Sequence, residues 1–148
     1  MPLIYSINTK SALHFATDEG FAAGVVLNVP PFPYHYGYAT LSKGMPILFE
    51  PSLTKIDQQY LHFNEVAKIN NQLVTSGMTG NIATAVGGGN TIEIARQQAY
   101  SLASKLILPN MRYRLDIGAN LIAGDLQQLI DWGYIDFEIS AETVHNFV

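Results

Sequence analysis

The chain has no cysteine. That removes disulfides, thiol nucleophiles and zinc sites of the cysteine type, and it fits a cytoplasmic protein. Charge is scarce as well, at 14% of 148 residues, with a net of −4 at pH 7. An acidic chain with few lysines and arginines lacks the basic patch that nucleic-acid binding needs, so no nucleic-acid partner is expected. No stretch reaches the roughly 18 consecutive apolar residues of a membrane span, so no membrane contact is expected either. The first residues, Met1 to Ser6, carry no basic run and no long apolar run, and no signal peptide is expected. The four histidines, His14, His35, His62 and His145, have no metal-ligand spacing. No G-x-S-x-G elbow, no carboxylate pair at helical spacing and no internal repeat occurs. What is present is ordinary for one globular domain: 48% hydrophobic residues, enough for a single core. The sparsely charged surface suits a piece that neighbouring domains cover.

The middle of the chain is the most legible part. Gln72-Leu73-Val74-Thr75-Ser76 alternates apolar and polar, as a half-buried strand does. Gly77-Met78-Thr79-Gly80 turns the chain, and Asn81 to Val86 alternates again. Gly87, Gly88 and Gly89 then read as a glycine turn before the clearest helix, expected over residues 91–107 with Asn90 as N-cap and Glu93 three residues on. Ile92, Ala95, Ala99, Leu102 and Leu106 recur at steps of three and four, so they share one face, and Pro109 is the expected stop. Met111 to Gly118 reads as a strand with Arg112 and Arg114 on one face. Upstream, residues 21–29 form an apolar run that reads as a buried strand, ended by Pro30, Pro31 and Pro33, which cannot donate to a ladder. Met45 to Phe49 reads as a short edge strand. Gln59 to Ala67 reads as a strand with Leu61 and Phe63 on one face, and Asn70-Asn71 as the hairpin turn that follows. Asp125 is the expected N-cap of a short helix bearing Leu126, Leu129 and Ile130, with Gly133 to end it. Residues 11–17 suggest the last turns of a preceding helix and residues 134–139 a strand. The fold class that results is α+β: a mostly antiparallel sheet with one long and one short helix.

Four blocks in this order resemble a known family. They are Gly24-Val25-Val26-Leu27 followed by Phe32-Pro33; Val74-Thr75-Ser76-Gly77-Met78-Thr79-Gly80-Asn81-Ile82; Gly89-Asn90-Thr91-Ile92-Glu93-Ile94-Ala95-Arg96-Gln97-Gln98-Ala99-Tyr100; and Tyr113-Arg114-Leu115-Asp116-Ile117-Gly118. Across residues 21–118 the chain resembles the C-terminal domain of phosphoribosylamine–glycine ligase, a member of the ATP-grasp superfamily. The resemblance implies a barrel-sandwich-hybrid-like domain at 21–118. It also implies a connector from an upstream ATP-grasp region at 1–20, while residues 119–148 lie beyond the resemblance and read as a helical or strand extension. It implies part of an enzyme of purine biosynthesis that joins glycine to a phosphorylated sugar amine. ATP and magnesium would be held upstream, no cofactor would be held in this domain, and the isolated domain would be inactive. The ATP-grasp and N-terminal domains would be its partners. Two alternatives stand beside it: a free-standing binding or interaction module, and a part of an ATP-grasp ligase with another substrate.

The candidate site residues carry competing readings. Two guanidiniums leaving one face, Arg112 and Arg114, can hold a phosphate; they can equally be solvated or paired with Asp116. The resemblance favours substrate contact for Arg114 and Asp116, although the family's second basic position is Leu115 here. Pro31, Phe32 and Tyr34 lie on a stiff loop that either packs locally or walls a ligand site, as the resemblance implies. There the family's paired glycines are replaced by Pro30 and Pro31, which forbid positive φ. Gly87 to Gly89 before a helix can cradle an anion, but the P-loop lysine and the G-x-G-x-x-G spacing are missing, which favours a plain turn.

Overall fold

The structure, a computed structural model, describes residues 20–135. The expectations for residues 1–19, for His14 and His145, and for most of the strand at 134–139 lie outside them. The described residues form an α+β unit, and all strand pairings among them are antiparallel. The sheet is not one but three. β1 (Phe21–Asn28) is the first described element, followed by helix α1 (Tyr38–Leu41) and β2 (Leu48–Phe49). β3 (Leu61–Phe63), β4 (Val66–Ile69), β5 (Gln72–Thr75) and β6 (Asn81–Gly89) come next. The long helix α2 (Ile92–Ser104), β7 (Leu106–Ile107) and helix α3 (Leu126–Asp131) are the last of the described elements. The main sheet has the order β1–β6–β3; β2 pairs with β7, and β4 with β5.

β1 is one-sided. Val25 and Leu27 are fully buried against Ala85 and Ala83 of β6, whereas Val26 points the other way and is 42% exposed. The apolar run therefore does not mean burial on both faces. The strand expected over Gln59 to Ala67 is broken. Asp57–Tyr60 is a turn of 3₁₀ helix, and the ladder stops at Asn64-Glu65 before β4 begins. The break has a cause: the Glu65 carboxylate turns away to accept bonds from the Gly77–Gly80 turn. The hairpin between β4 and β5 is as expected, with Asn70 and Asn71 both at positive φ (47° and 65°).

The three glycines are not a turn. They are the last residues of β6, and none of them has positive φ. Their role is steric. A Cβ on Gly87 would overlap the Ala95 carbonyl oxygen and the Ala99 amide nitrogen, and one on Gly89 would overlap Ile94. α2 lies with its backbone directly on the strand, and only residues without side chains permit that approach. The buried face of α2 is Ile92, Ala95, Ala99, Leu102 and Ala103. Its N-cap is Thr91, one residue later than expected, whose hydroxyl accepts from the Ile94 amide at 3.2 Å.

α2 also ends early, at Ser104 rather than Ile107. Leu106 and Ile107 leave the helix to pair with Phe49 and Leu48, and the Glu50 amide donates to the Lys105 carbonyl at 2.9 Å. Leu106 and Leu108 enter the core by this route. The Lys105 ammonium meets Asp57 at 2.9 Å; that bond, with two from Thr54, holds the Asp57 carboxyl at about 2. At the far end, Gly133 (φ 72°) ends α3 as expected, its amide donating to Ile130 and that of Tyr134 to Leu129. Asp125 is no cap: it has helical φ and ψ in a wide turn, Leu121–Asp125, kinked at Gly124.

Candidate functional site

Two segments carry the candidate residues, and β1 joins them. Its last residue, Asn28, exchanges backbone hydrogen bonds with Arg112 at 2.9 and 2.8 Å. Two residues on, Pro30 begins the aromatic loop. The strand expected over 111–118 is reduced to this single bridge. The reason is local: Pro30 ends the edge that Arg112 would have followed, so the partner has one position to pair with. Arg112 and Arg114 are nonetheless both exposed, while Met111 and Tyr113 between and before them are half-buried.

The loop is anchored at its root and open at its tip. Val29 donates its amide to Gly80 at 2.9 Å. The Ser42 hydroxyl donates to the Pro30 carbonyl, the Thr75 hydroxyl to the Ser42 carbonyl, and the Tyr38 hydroxyl to the Ser76 carbonyl. Tyr38 is 2% exposed, and burial, then the nearby Glu65 charge, raises its pKa. The tip is different: Phe32 is 38% exposed, Tyr34 71% and Tyr36 95%. Pro31 is half-buried, its carbonyl accepting from the Tyr34 amide at 2.9 Å.

Glu65 secures the turn under that root. Its carboxylate accepts from the Thr79 amide (2.9 and 3.1 Å), the Thr79 hydroxyl (2.7 Å) and the Gly80 amide (2.6 Å). Partial burial pushes its pKa up, but these bonds outweigh it and hold the carboxyl below its ordinary value.

The Arg114–Asp116 segment is built on α2. Arg114 meets Asp116 through Nε at 2.9 Å and Nη2 at 2.6 Å, a two-pronged pair. Both side chains are well exposed, 75% and 59%. Hydrogen bonding to Arg114 lowers the Asp116 pKa, and the same bond raises that of Arg114. Of the readings open in the sequence, the intramolecular pair is the one realised. It leaves Nη1 of Arg114 for a further acceptor. Arg96 of α2 donates to the Ile117 carbonyl at 2.9 Å and the Leu115 carbonyl at 2.8 Å. The Tyr100 hydroxyl donates to the Arg114 carbonyl at 2.8 Å and accepts from the Ile117 amide at 3.1 Å. The Arg96 guanidinium lies 5.0 Å from the Tyr100 ring centre, and Tyr113 lies against the same ring at 6.1 Å. Beside them is an open hollow of about 530 Å³, bordered by Glu93, Tyr113, Leu115 and Ile122.

Sequence reasoning did not single out Arg96, Tyr100, Glu65 or Tyr38. Arg96 and Tyr100 are four apart on a helix, so they share a side, and that spacing was the available signal. Glu65 and Tyr38 left none, because their partners lie 14 to 38 residues away in the chain.

No protein-family model matches the sequence. Among characterised proteins, phosphoribosylamine–glycine ligase from Thermotoga maritima is 30% identical over 117 residues, which cover 78% of this chain and 28% of that protein. The same enzyme from Pseudomonas aeruginosa is 33% identical over 106 residues, 72% of this chain and 23% of the relative. That from Archaeoglobus fulgidus is 41% identical over 61 residues. The crystal structure of the Thermotoga maritima enzyme superposes with a TM-score of 0.59 at 28% identity, covering 76% of this chain and 26% of that one. The chain thus spans about a quarter of the length of these two ligases.

Proposed function

We propose that this chain, a domain of the phosphoribosylamine–glycine ligase family, is the C-terminal domain that completes the substrate side of such an enzyme. The observation that carries the proposal is the identity to whole ligases over about three quarters of the chain, in a fold that superposes on one of them. The enzyme joins glycine to a phosphorylated sugar amine at the expense of ATP, a step of purine biosynthesis in the cytoplasm. The body that uses the nucleotide, with ATP and magnesium, is the partner of this domain. Among the described residues no three His, Cys, Asp or Glu side chains converge as metal ligands would. In this reading ATP and magnesium sit in that body, and the isolated domain is inactive.

In this reading the domain binds and shields. Arg114 presents its free Nη1 to the substrate phosphate, with Arg112 adding charge nearby and Asp116 orienting the guanidinium or accepting from a sugar hydroxyl. Pro31, Phe32 and Tyr34 form a wall that keeps water from the joined groups. Unlike glycines, the prolines bring no free amide to that wall and cannot take positive φ.

The test is kinetic. In the complete ligase carrying this domain, Arg114→Ala should raise the apparent KM for the sugar-amine phosphate about tenfold, equivalent to about 1.4 kcal/mol. Unchanged kinetics would reject the phosphate role.

A further inference from the structure

We infer that Arg96 and Tyr100 are positioning residues for Arg114, gripping the backbone of residues 114–117 so that the Arg114–Asp116 pair faces the substrate in one orientation. The inference rests on the substrate role proposed for Arg114.

Four bonds support it, and all link two side chains of one helix to one short segment. Arg96 holds the carbonyls of Leu115 and Ile117, and Tyr100 holds the carbonyl of Arg114 and the amide of Ile117. Residues 113–117 belong to no strand or helix; Tyr113 and Ile117 pack on the core, and the grip holds their backbone. The helix that supplies the grip is itself immobilised, because its backbone rests on Gly87. Rigid strand, helix and grip therefore form a chain of support that ends at the exposed guanidinium. Among the described residues no other side chain bonds the Arg114–Asp116 pair, so the backbone that the grip holds sets its orientation. A loose arginine loses rotamer freedom when it captures a phosphate, whereas a held one has lost part of it beforehand.

Tyr100→Phe is the clean variant. It deletes both hydroxyl bonds and keeps the ring that Arg96 and Tyr113 lie against. In the complete ligase it should raise KM for the sugar-amine phosphate about fivefold, change kcat less than about twofold, and leave KM for glycine unaltered. Arg96→Lys, which keeps the charge but cannot span two carbonyls, should do the same. The decisive measurement is the double variant Tyr100→Phe with Arg114→Ala. If Tyr100 acts through Arg114, its effect on KM disappears in the Arg114→Ala background. A KM effect that persists there, or a lowered Tm with KM unchanged in Tyr100→Phe, overturns the positioning role. Should Arg114→Ala itself leave KM unchanged, the substrate role falls first, and this inference with it; the single variants tell the two failures apart.

Discussion

Two parts of this domain are built from the residues with the least ordinary backbones, glycine and proline, and they use them in opposite ways. At the seam between β6 and α2, glycine removes side chains so that helix and strand backbones touch. In the loop after β1, proline ends the ladder and holds aromatic side chains outside, with Tyr36 almost wholly exposed. The seam answers a demand within the domain. The aromatic rings of the loop answer none that these bonds make, since the side chains that hold its root are Tyr38, Ser42 and Thr75. The difference teaches where to look for function: the seam sets stability, and the tip is free to serve an outside surface or ligand.

The strongest way to break this contrast is to put a side chain in the seam. Gly87→Val should destabilise the domain by about 3 kcal/mol or prevent folding, because the obstacle is helix backbone. Gly88→Ala is the control one residue away. Its added Cβ would come no nearer than 3.8 Å to the Phe21 carbonyl oxygen, and urea unfolding should show a change within about 1 kcal/mol. Equal losses in the two variants would show that the strand, not the close approach, needs glycine.

The loop root should give an intermediate effect. Glu65→Gln replaces a carboxylate that accepts four bonds, at a cost of about 1–2 kcal/mol at neutral pH. The sign of its pH dependence follows from the depressed folded pKa. The unfolded carboxyl binds a proton at higher pH than the folded one does. Its contribution is therefore complete above the ordinary carboxylate range and is lost as pH falls through the folded value. Unfolding curves of the two proteins should approach one another in acid. A constant gap from pH 7 down to 3 would mean that shape, not charge, secures the turn.

The smallest stability effect belongs to the tip. The pair Tyr34→Ala and Tyr36→Ala should change unfolding free energy by no more than about 0.5 kcal/mol, because both rings already face water. The same double variant should impair the complete ligase. A destabilisation as large as that of Glu65→Gln would place the rings in the fold and remove the reason to assign them outward.

Much of the fold was legible before the structure. The buried side of α2, the Asn70-Asn71 hairpin, the strand after Phe21 and the Gly133 stop all follow from periodicity and turn chemistry. What escaped was set by distant partners. Gly87 to Gly89 look like a turn until α2 is laid across them. Leu106 fits the helix face by spacing, yet pairing with Phe49 takes it from the helix. Residues 111–118 alternate like a strand, but Pro30 denies them a ladder. At the candidate site the residue pair Arg114 and Asp116 was readable and their mutual bond was one of the readings. The support from Arg96 and Tyr100 was hidden, because a helix spacing says which residues share a side and not what that side holds.

The pairing of β1 with β6 has one more consequence. Phe21 lies opposite Gly89, and Asn28 opposite Asn81, so the first strand finds its neighbour only after most of the domain has been made. On the ribosome, Val25 and Leu27 would have to wait, uncovered, while that stretch emerges. The domain should therefore fold late and in one step, and a nascent chain stopped short of Gly89 should be an early target for chaperones and proteases.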